Sequence, residues 1–251
     1  VAIQTAAGAG SASLIAIPLF IFAGELMLRG GISDRLIAFA ASLVGRLRGG
    51  LGQVNVLSSL FFGGVSGSAI ADVSAVGGTM IPQMVNRGYD RDFAVNVSIT
   101  AALVALLVPP SHNLILFSAS AGGSISIADL FAAGILPALL MTLALMLTVW
   151  FMAGRRGYGS EGFPGFREVA RRFVSALPGL LLVMLIFVGL RAGVFTAIES
   201  ASIAVCYALL VTGLVYRKLS REVFTHAVTG AARTASLILF VIAAAASFGW
   251  L

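Results

Sequence analysis

The 251-residue sequence predicts an all-α polytopic membrane protein with a re-entrant helical hairpin and a broken helix, and three observations carry that reading. Hydrophobic residues make up 59% of the chain against 10% charged, with a mean hydropathy of +1.03, far from the composition of a soluble domain. Apolar runs long enough to cross a hydrocarbon layer of roughly 30 Å recur along it, which excludes a single anchor on a soluble body. The third observation is the stretch from Gly63 to Gly78, GGVSGSAIADVSAVGG, where 11 of 16 positions are Gly, Ala or Ser. A lipid-facing helix has no use for that composition. Small residues let backbones approach closely, and Ser66, Ser68, Asp72 and Ser74 bring polar groups to a depth where each needs a partner or water.

The apolar segments cover residues 14–28, 51–85 with the small-residue interruption, 93–121 with Pro109-Pro110 inside, 134–153, 174–190, 197–216 and 234–251. The stretch 33–48, SDRLIAFAASLVGRLR, carries charges at both ends and too few apolar residues to span, which predicts a helix lying at the interface with Ser33 or Asp34 as its cap. Whether 51–85 crosses the membrane follows from charge. If it enters and returns as a hairpin, 15 of the 16 basic residues fall on one side and only Arg191 on the other; a single crossing gives 5 against 11. The positive-inside rule selects the re-entrant hairpin, with the basic side cytoplasmic. Its tip, Ser66-Gly67-Ser68, is then irregular backbone at membrane depth, tolerated only where it lines a cavity or is buried in protein.

In LLVPPSHNLILFS, Pro109 and Pro110 remove two backbone donors and break the helix. Freed carbonyls at 106–109, with Ser111, His112 and Asn113, offer ligands near the middle of the membrane. Exposed N–H groups at Ser68–Ala71, where the second arm begins, would attract a carboxylate, and the carbonyls of Ser66, Gly67, Val108 and Pro109 would suit a sodium ion. The candidate substrate-binding residues are Ser66, Gly67, Ser68, Ala69, Asp72, Ser111 and Asn113, with Asn113 also able to anchor the hairpin. Asp72 is either a direct ligand or a stabiliser of the second arm's start. A hairpin tip facing a broken helix is the physical scheme of secondary transporters of the inverted-repeat type, and the three segments from 174 to 251 run opposite to those before the hairpin.

Other polar residues have structural readings. Thr196-x-x-Glu199 is a capping box, Glu25 and Arg29 are an i,i+4 ion pair, and the lone Cys206 reads as packing. Arg191 is open between contact with a partner and with a lipid head group. The Gly-rich run 155–172 reads as a flexible link. The basic residues form no continuous face for nucleic acid, no metal-ligand cluster is evident, and no phosphate loop of the G-x-x-x-x-G-K-[ST] form is present, so neither an enzyme using Asp72, His112 and Glu199 nor an ATPase is favoured. The chain starts at Val1 and stops at Leu251 within an apolar run, which suggests a fragment.

Several ordered blocks resemble the large membrane subunit of tripartite ATP-independent periplasmic (TRAP) transporters: AIPLFIFAGELMLRGGI at 16–32, GRLRGGLGQVNVLSSLFFGGVSGSAIADVSAVGGTMIPQMVNRGYD at 45–90, VPPSHN at 108–113, SISIADLFAAGILP at 124–137 and GVFTAIESASIAVCYALLV at 193–211. The resemblance implies a sodium-driven importer of organic acids with no cofactor beyond the coupling ion. It further implies a small Q-type membrane subunit and a periplasmic substrate-binding protein as partners, a multi-pass place in the bacterial or archaeal cytoplasmic membrane, and an elevator-like movement. A stand-alone sodium/divalent-anion symporter of similar hairpin architecture is the alternative. On this reading residues 1–32 form a scaffold span, 33–50 the interfacial arm and 51–153 half of a transport domain: hairpin 51–86, broken helix 93–121, span 134–153. Residues 154–173 form a cytoplasmic linker and 174–251 a second repeat. The family's second hairpin and second Pro-Pro break fall outside these residues, and alanine stands at Ala197 where the family usually has proline.

Overall fold

A computed structural model describes residues 12–121, 125–160 and 162–250, and among them the protein is entirely helical. A 3-10 turn, Ala12–Ile15, leads into α1 (Ala16–Arg29) and then α2 (Ile32–Val44). The two helices meet at 70°, so α2 leaves the line of α1 at the Gly30-Gly31 elbow. The expected cap is corrected here. Gly31, with φ of 80°, occupies the N-cap position with no side-chain bond, and Ser33 and Asp34 fall inside the first turn. There Asp34 complements the helix dipole instead.

The hairpin follows. Its first arm is α3 (Gly50–Ser66) and its second comprises α4 (Ala69–Asp72), a π turn (Val73–Gly77) and α5 (Gly78–Asn86). Asn55 Nδ2 lies 3.7 Å from Met84 Sδ, which shows that the chain reverses and the arms run side by side. All but three of the 17 residues of α3 are buried, because it packs against α1, α2, the second arm, and α6, α8 and α9 defined below. An all-round buried helix demands small residues and satisfied polar ones. Asn55 Nδ2 donates to Ser98 Oγ at 2.6 Å, and Gln53 Nε2 to the Met146 carbonyl at 2.9 Å, while the side-chain oxygens of both meet no partner among the described residues.

The helix break is where the two prolines demand it. Helix α6 (Arg91–Ala102), started by Asp90 Oδ1 accepting from Phe93 N at 3.0 Å, passes through a 3-10 turn (Leu103–Leu106) and stops; α7 (His112–Ser120) resumes after the cis Pro109-Pro110 peptide. Then come α8 (Ile127–Arg156), α9 (Phe166–Arg191), α10 (Ala197–Leu210) with a π turn (Val211–Val215), and α11 (Arg221–Trp250). Four stretches are long and apolar enough to cross a membrane, and a fifth if the bent pair counts as one: 127–156, 166–191, 197–215 and 221–245. The protein is a polytopic membrane protein. On α8 the split of faces is plain. Leu136, Leu140, Leu143, Leu147 and Phe151, spaced three or four apart, are exposed, while Gly134, Ala138, Thr142, Val149 and Ala153 pack inward.

Three sequence readings change. The link is shorter than residues 155–172, since α8 runs to Arg156 and α9 begins at Phe166. It is also anchored: Gly50 N donates to the Gly159 carbonyl at 3.3 Å, and Tyr158 stacks on Tyr89 at 4.2 Å between centroids. Cys206 is exposed on α10 rather than packed, because the inward face of that helix is taken by Ser200, Ala201, Ala204 and Ala208. Arg191 is paired within the chain, Nη1 to Asp129 Oδ1 at 2.7 Å, which ties the end of α9 to the start of α8. The capping box and the Glu25–Arg29 pair stand as expected: Glu199 N donates to Thr196 Oγ1 at 3.3 Å, Thr196 N to Glu199 Oε2 at 2.8 Å, and Arg29 Nε to Glu25 Oε2 at 3.2 Å. Thr196→Ala is therefore expected to lower the unfolding midpoint of the detergent-solubilised protein by about 2–4 °C, as befits a helix cap. An unchanged midpoint would contradict that role.

Candidate functional site

The hairpin tip and the Pro-Pro break, 43 residues apart in sequence between Gly67 and Pro110, lie against each other, and one glycine makes this possible. Gly67 ends α3 in the left-handed conformation, φ 59°, with its N–H bonded to the Gly63 carbonyl at 2.7 Å. A side chain there would run into the carbonyl of Pro110. One turn earlier, a Cβ on Gly63 would lie 2.6 Å from Ala105 Cα, and one on Gly64 3.3 Å from Val108 Cγ1. The first arm thus docks along the whole break from Ala105 to Pro110.

Backbone chemistry at the tip is narrower than the sequence suggests. Of the N–H groups at 68–71, that of Ser68 meets Ser66 Oγ and that of Ala71 meets Ser68 Oγ, both at 3.4 Å. The Ala69 and Ile70 N–H groups remain, at the start of a helical arm whose first residues favour negative charge. Ser68 and Ala69 are partly exposed and Ile70 is 85% exposed, so the tip has one open side. Ser66 is buried behind it.

Below the tip sits Asp72, 1% exposed. It approaches the Ser59 hydroxyl of the first arm, yet Asp72 Oδ1, Ser59 Oγ and the neighbouring-position Ser58 Oγ meet no hydrogen-bond partner among the described residues. Buried polar atoms of this kind are rare in a finished structure and mark places where water or an ion completes the set. Oxygen is the only ligand type on offer: carboxylate, hydroxyl and backbone carbonyl suit a hard cation such as sodium. Among the described residues no three His, Cys, Asp or Glu side chains come together as a transition-metal site.

The second element supplies less than expected. Ser111 is fully buried and spends its hydroxyl proton on the Leu106 carbonyl at 2.5 Å, which also occupies one of the carbonyls freed by the break. Asn113 is exposed, and no hydrogen bond from its side chain to the hairpin is found among the described residues; it sits on the second residue of α7, whose inward face is formed by His112, Ile115 and Ser118. His112 is buried, with Nε2 meeting no partner among the described residues. Val108 and Pro109 face an apolar cavity of about 300 Å³ shared with Leu60, Phe61 and Val183, a lining with nothing to hold a carboxylate. The carbonyl that meets the tip belongs to Pro110, which the sequence did not single out. Ser58 and Ser59 were not singled out either, although their place about two turns before the tip in a buried arm was a readable signal.

Comparison with known proteins agrees with the blocks quoted above. A family profile described as "Tripartite ATP-independent periplasmic transporter, DctM component" matches residues 1–251. The chain is 38% identical over 244 residues to the 2,3-diketo-L-gulonate TRAP transporter large permease protein YiaN of Escherichia coli (strain K12), covering 97% of this chain and 57% of that one. It is 34% identical over 248 residues to the sialic acid TRAP transporter large permease protein SiaM of Vibrio cholerae serotype O1, covering 99% and 58%. It is also 32% identical over 263 residues to the C4-dicarboxylate TRAP transporter large permease protein DctM of Rhodobacter capsulatus, covering 100% and 60%. The chain therefore spans less than two thirds of each of these relatives.

Proposed function

The chain belongs to the DctM component family of tripartite ATP-independent periplasmic transporters, not to an enzyme family, and on that premise we propose that it supplies half of a sodium-coupled transport site for organic acids. One observation carries the reading: the hairpin tip is wedged onto the Pro-Pro break, and the buried Asp72 of the second arm, close to Ser59 of the first, keeps Oδ1 without a partner among the described residues. On this proposal the free N–H groups of Ala69 and Ile70, with Ser66 and Ser68, meet the substrate carboxylate. The oxygens of Ser66, Gly67, Asp72 and Pro110, beside Val108 and Pro109, hold sodium. A cation so placed supplies charge that makes the pocket attractive to an anion, which is coupling in its simplest form.

The relatives' names point to a shared group. Diketogulonate, sialic acid and C4-dicarboxylates all carry a carboxylate, the group a helix start accepts. We place the protein in the bacterial or archaeal cytoplasmic membrane, hairpin opening from the cytoplasmic side, working with a small Q-type membrane subunit and a periplasmic binding protein, and moving its hairpin half against α1, α10 and α11 in elevator fashion.

The full-length permease, reconstituted with its small subunit, is expected to take up an organic acid only with an inward sodium gradient and loaded binding protein. Uptake by the permease without the binding protein would overturn this in favour of a stand-alone symporter. Uptake unaffected by collapsing the sodium gradient would remove sodium as the coupling ion.

A further inference from the structure

Two cations from distant parts of the chain converge on the elbow between α1 and α2. Arg35 donates Nη1 to the Gly31 carbonyl at 2.8 Å and reaches the Gly30 carbonyl at 3.4 Å, with its guanidinium 3.6 Å over the ring of Tyr216. Lys218 arrives from the connection between α10 and α11. A Cβ built on Gly31 would lie 2.8 Å from Lys218 Nζ and 3.5 Å from Arg35 Nη1, so both charges crowd one point.

The arrangement is built rather than incidental. Lys218 N donates to the Thr212 carbonyl at 3.0 Å, Thr212 Oγ1 donates to the Leu26 carbonyl at 3.3 Å, and Arg217 takes the left-handed φ of 51° that non-glycine residues seldom adopt. The acids nearby are engaged or turned out. Glu25 is held by Arg29, Glu222 faces His226 at 3.9 Å, and Asp34 is exposed, with no ion pair to Arg35 or Lys218 among the described residues. Two like charges held together without a counter-ion favour an anion that touches both.

We propose that Arg35 and Lys218 at the Gly30-Gly31 elbow bind the phosphate of an anionic membrane phospholipid. The site rests on the membrane orientation proposed above, which puts this elbow at the cytoplasmic interface, where basic pockets between helices meet lipid head groups. A lipid fits better than free phosphate because Leu214, Val215 and Leu219, all exposed and within four residues of Lys218, offer apolar surface to acyl chains.

The test uses the full-length permease in detergent, titrated with short-chain phosphatidylglycerol, phosphatidylcholine or inorganic phosphate, reading the unfolding midpoint and lipid retained in native mass spectra. Phosphatidylglycerol raises the midpoint and phosphatidylcholine does not. Lys218→Gln and Arg35→Gln each weaken the phosphatidylglycerol response about fivefold, and Lys218→Arg retains it. Lys218 is exposed, so its variant carries the test if Arg35→Gln fails to fold. An unchanged response in Lys218→Gln, or equal responses to the two lipids, overturns the site; an equal response to inorganic phosphate overturns the lipid as its ligand. Ser220→Cys is expected to react with an impermeant maleimide from the cytoplasmic side, and labelling from the opposite side would overturn the leaflet while leaving the lipid titration to be read separately.

Discussion

Replacing Gly67 by alanine is expected to reduce uptake to background and to destabilise the protein. The left-handed backbone at this position costs an L-residue about 1–2 kcal/mol, and forcing a methyl against the Pro110 carbonyl adds overpacking of about 1–3 kcal/mol. The tip has one way to relieve the contact, which is to lift off the break, and that separates the two elements of the proposed site. Gly78→Ala is the control: its φ is ordinary, a Cβ there meets nothing within 4 Å, and alanine suits the helix better. Uptake measured in vesicles at matched expression should separate the two variants by at least tenfold. Wild-type uptake in Gly67→Ala would show that the tip and the break need not touch.

Asp72→Asn is expected to move function and stability in opposite directions. The carboxylate is buried with Oδ1 unpartnered, so removing its charge at nearly constant shape relieves a desolvation cost and leaves folding intact or improved. Uptake, by contrast, should fall tenfold or more, and the sodium concentration for half-maximal uptake should rise, if the carboxylate helps to hold the ion. A variant that loses uptake and stability together would instead make Asp72 a structural support of the second arm. Thermal unfolding and sodium-dependent uptake on the same preparation decide between them.

Much of this fold was legible because its signals are local. Hydropathy marked the long helices, Pro109-Pro110 had to break one, and Thr196 and Glu199 announced a helix start three residues apart. The small-residue composition of 63–78 likewise foretold close packing, which Gly63 and Gly67 deliver. What escaped was set by tertiary placement. Nothing in SHN says that Ser111 turns back to Leu106 while Asn113 faces out, or that Asp129 lies opposite Arg191, 62 residues away. Helices α9 and α11 also run past their apolar windows, because the charged residues at 166–172 and 221–233 propagate a helix as well as apolar ones do. Within the site, it is the carbonyl of Pro110 that Gly67 meets, which illustrates a general limit: sequence locates freed carbonyls but not their direction.

The anchored connector between α8 and α9 sets the length of a tether. With Gly159 fastened to Gly50 at the hairpin's base and the next helix beginning at Phe166, only the chain from 159 to 166 can pay out. Fully extended, that stretch reaches at most about 25 Å, so any stroke of the hairpin base relative to the start of α9 is limited to that reach for as long as the Gly50–Gly159 contact holds.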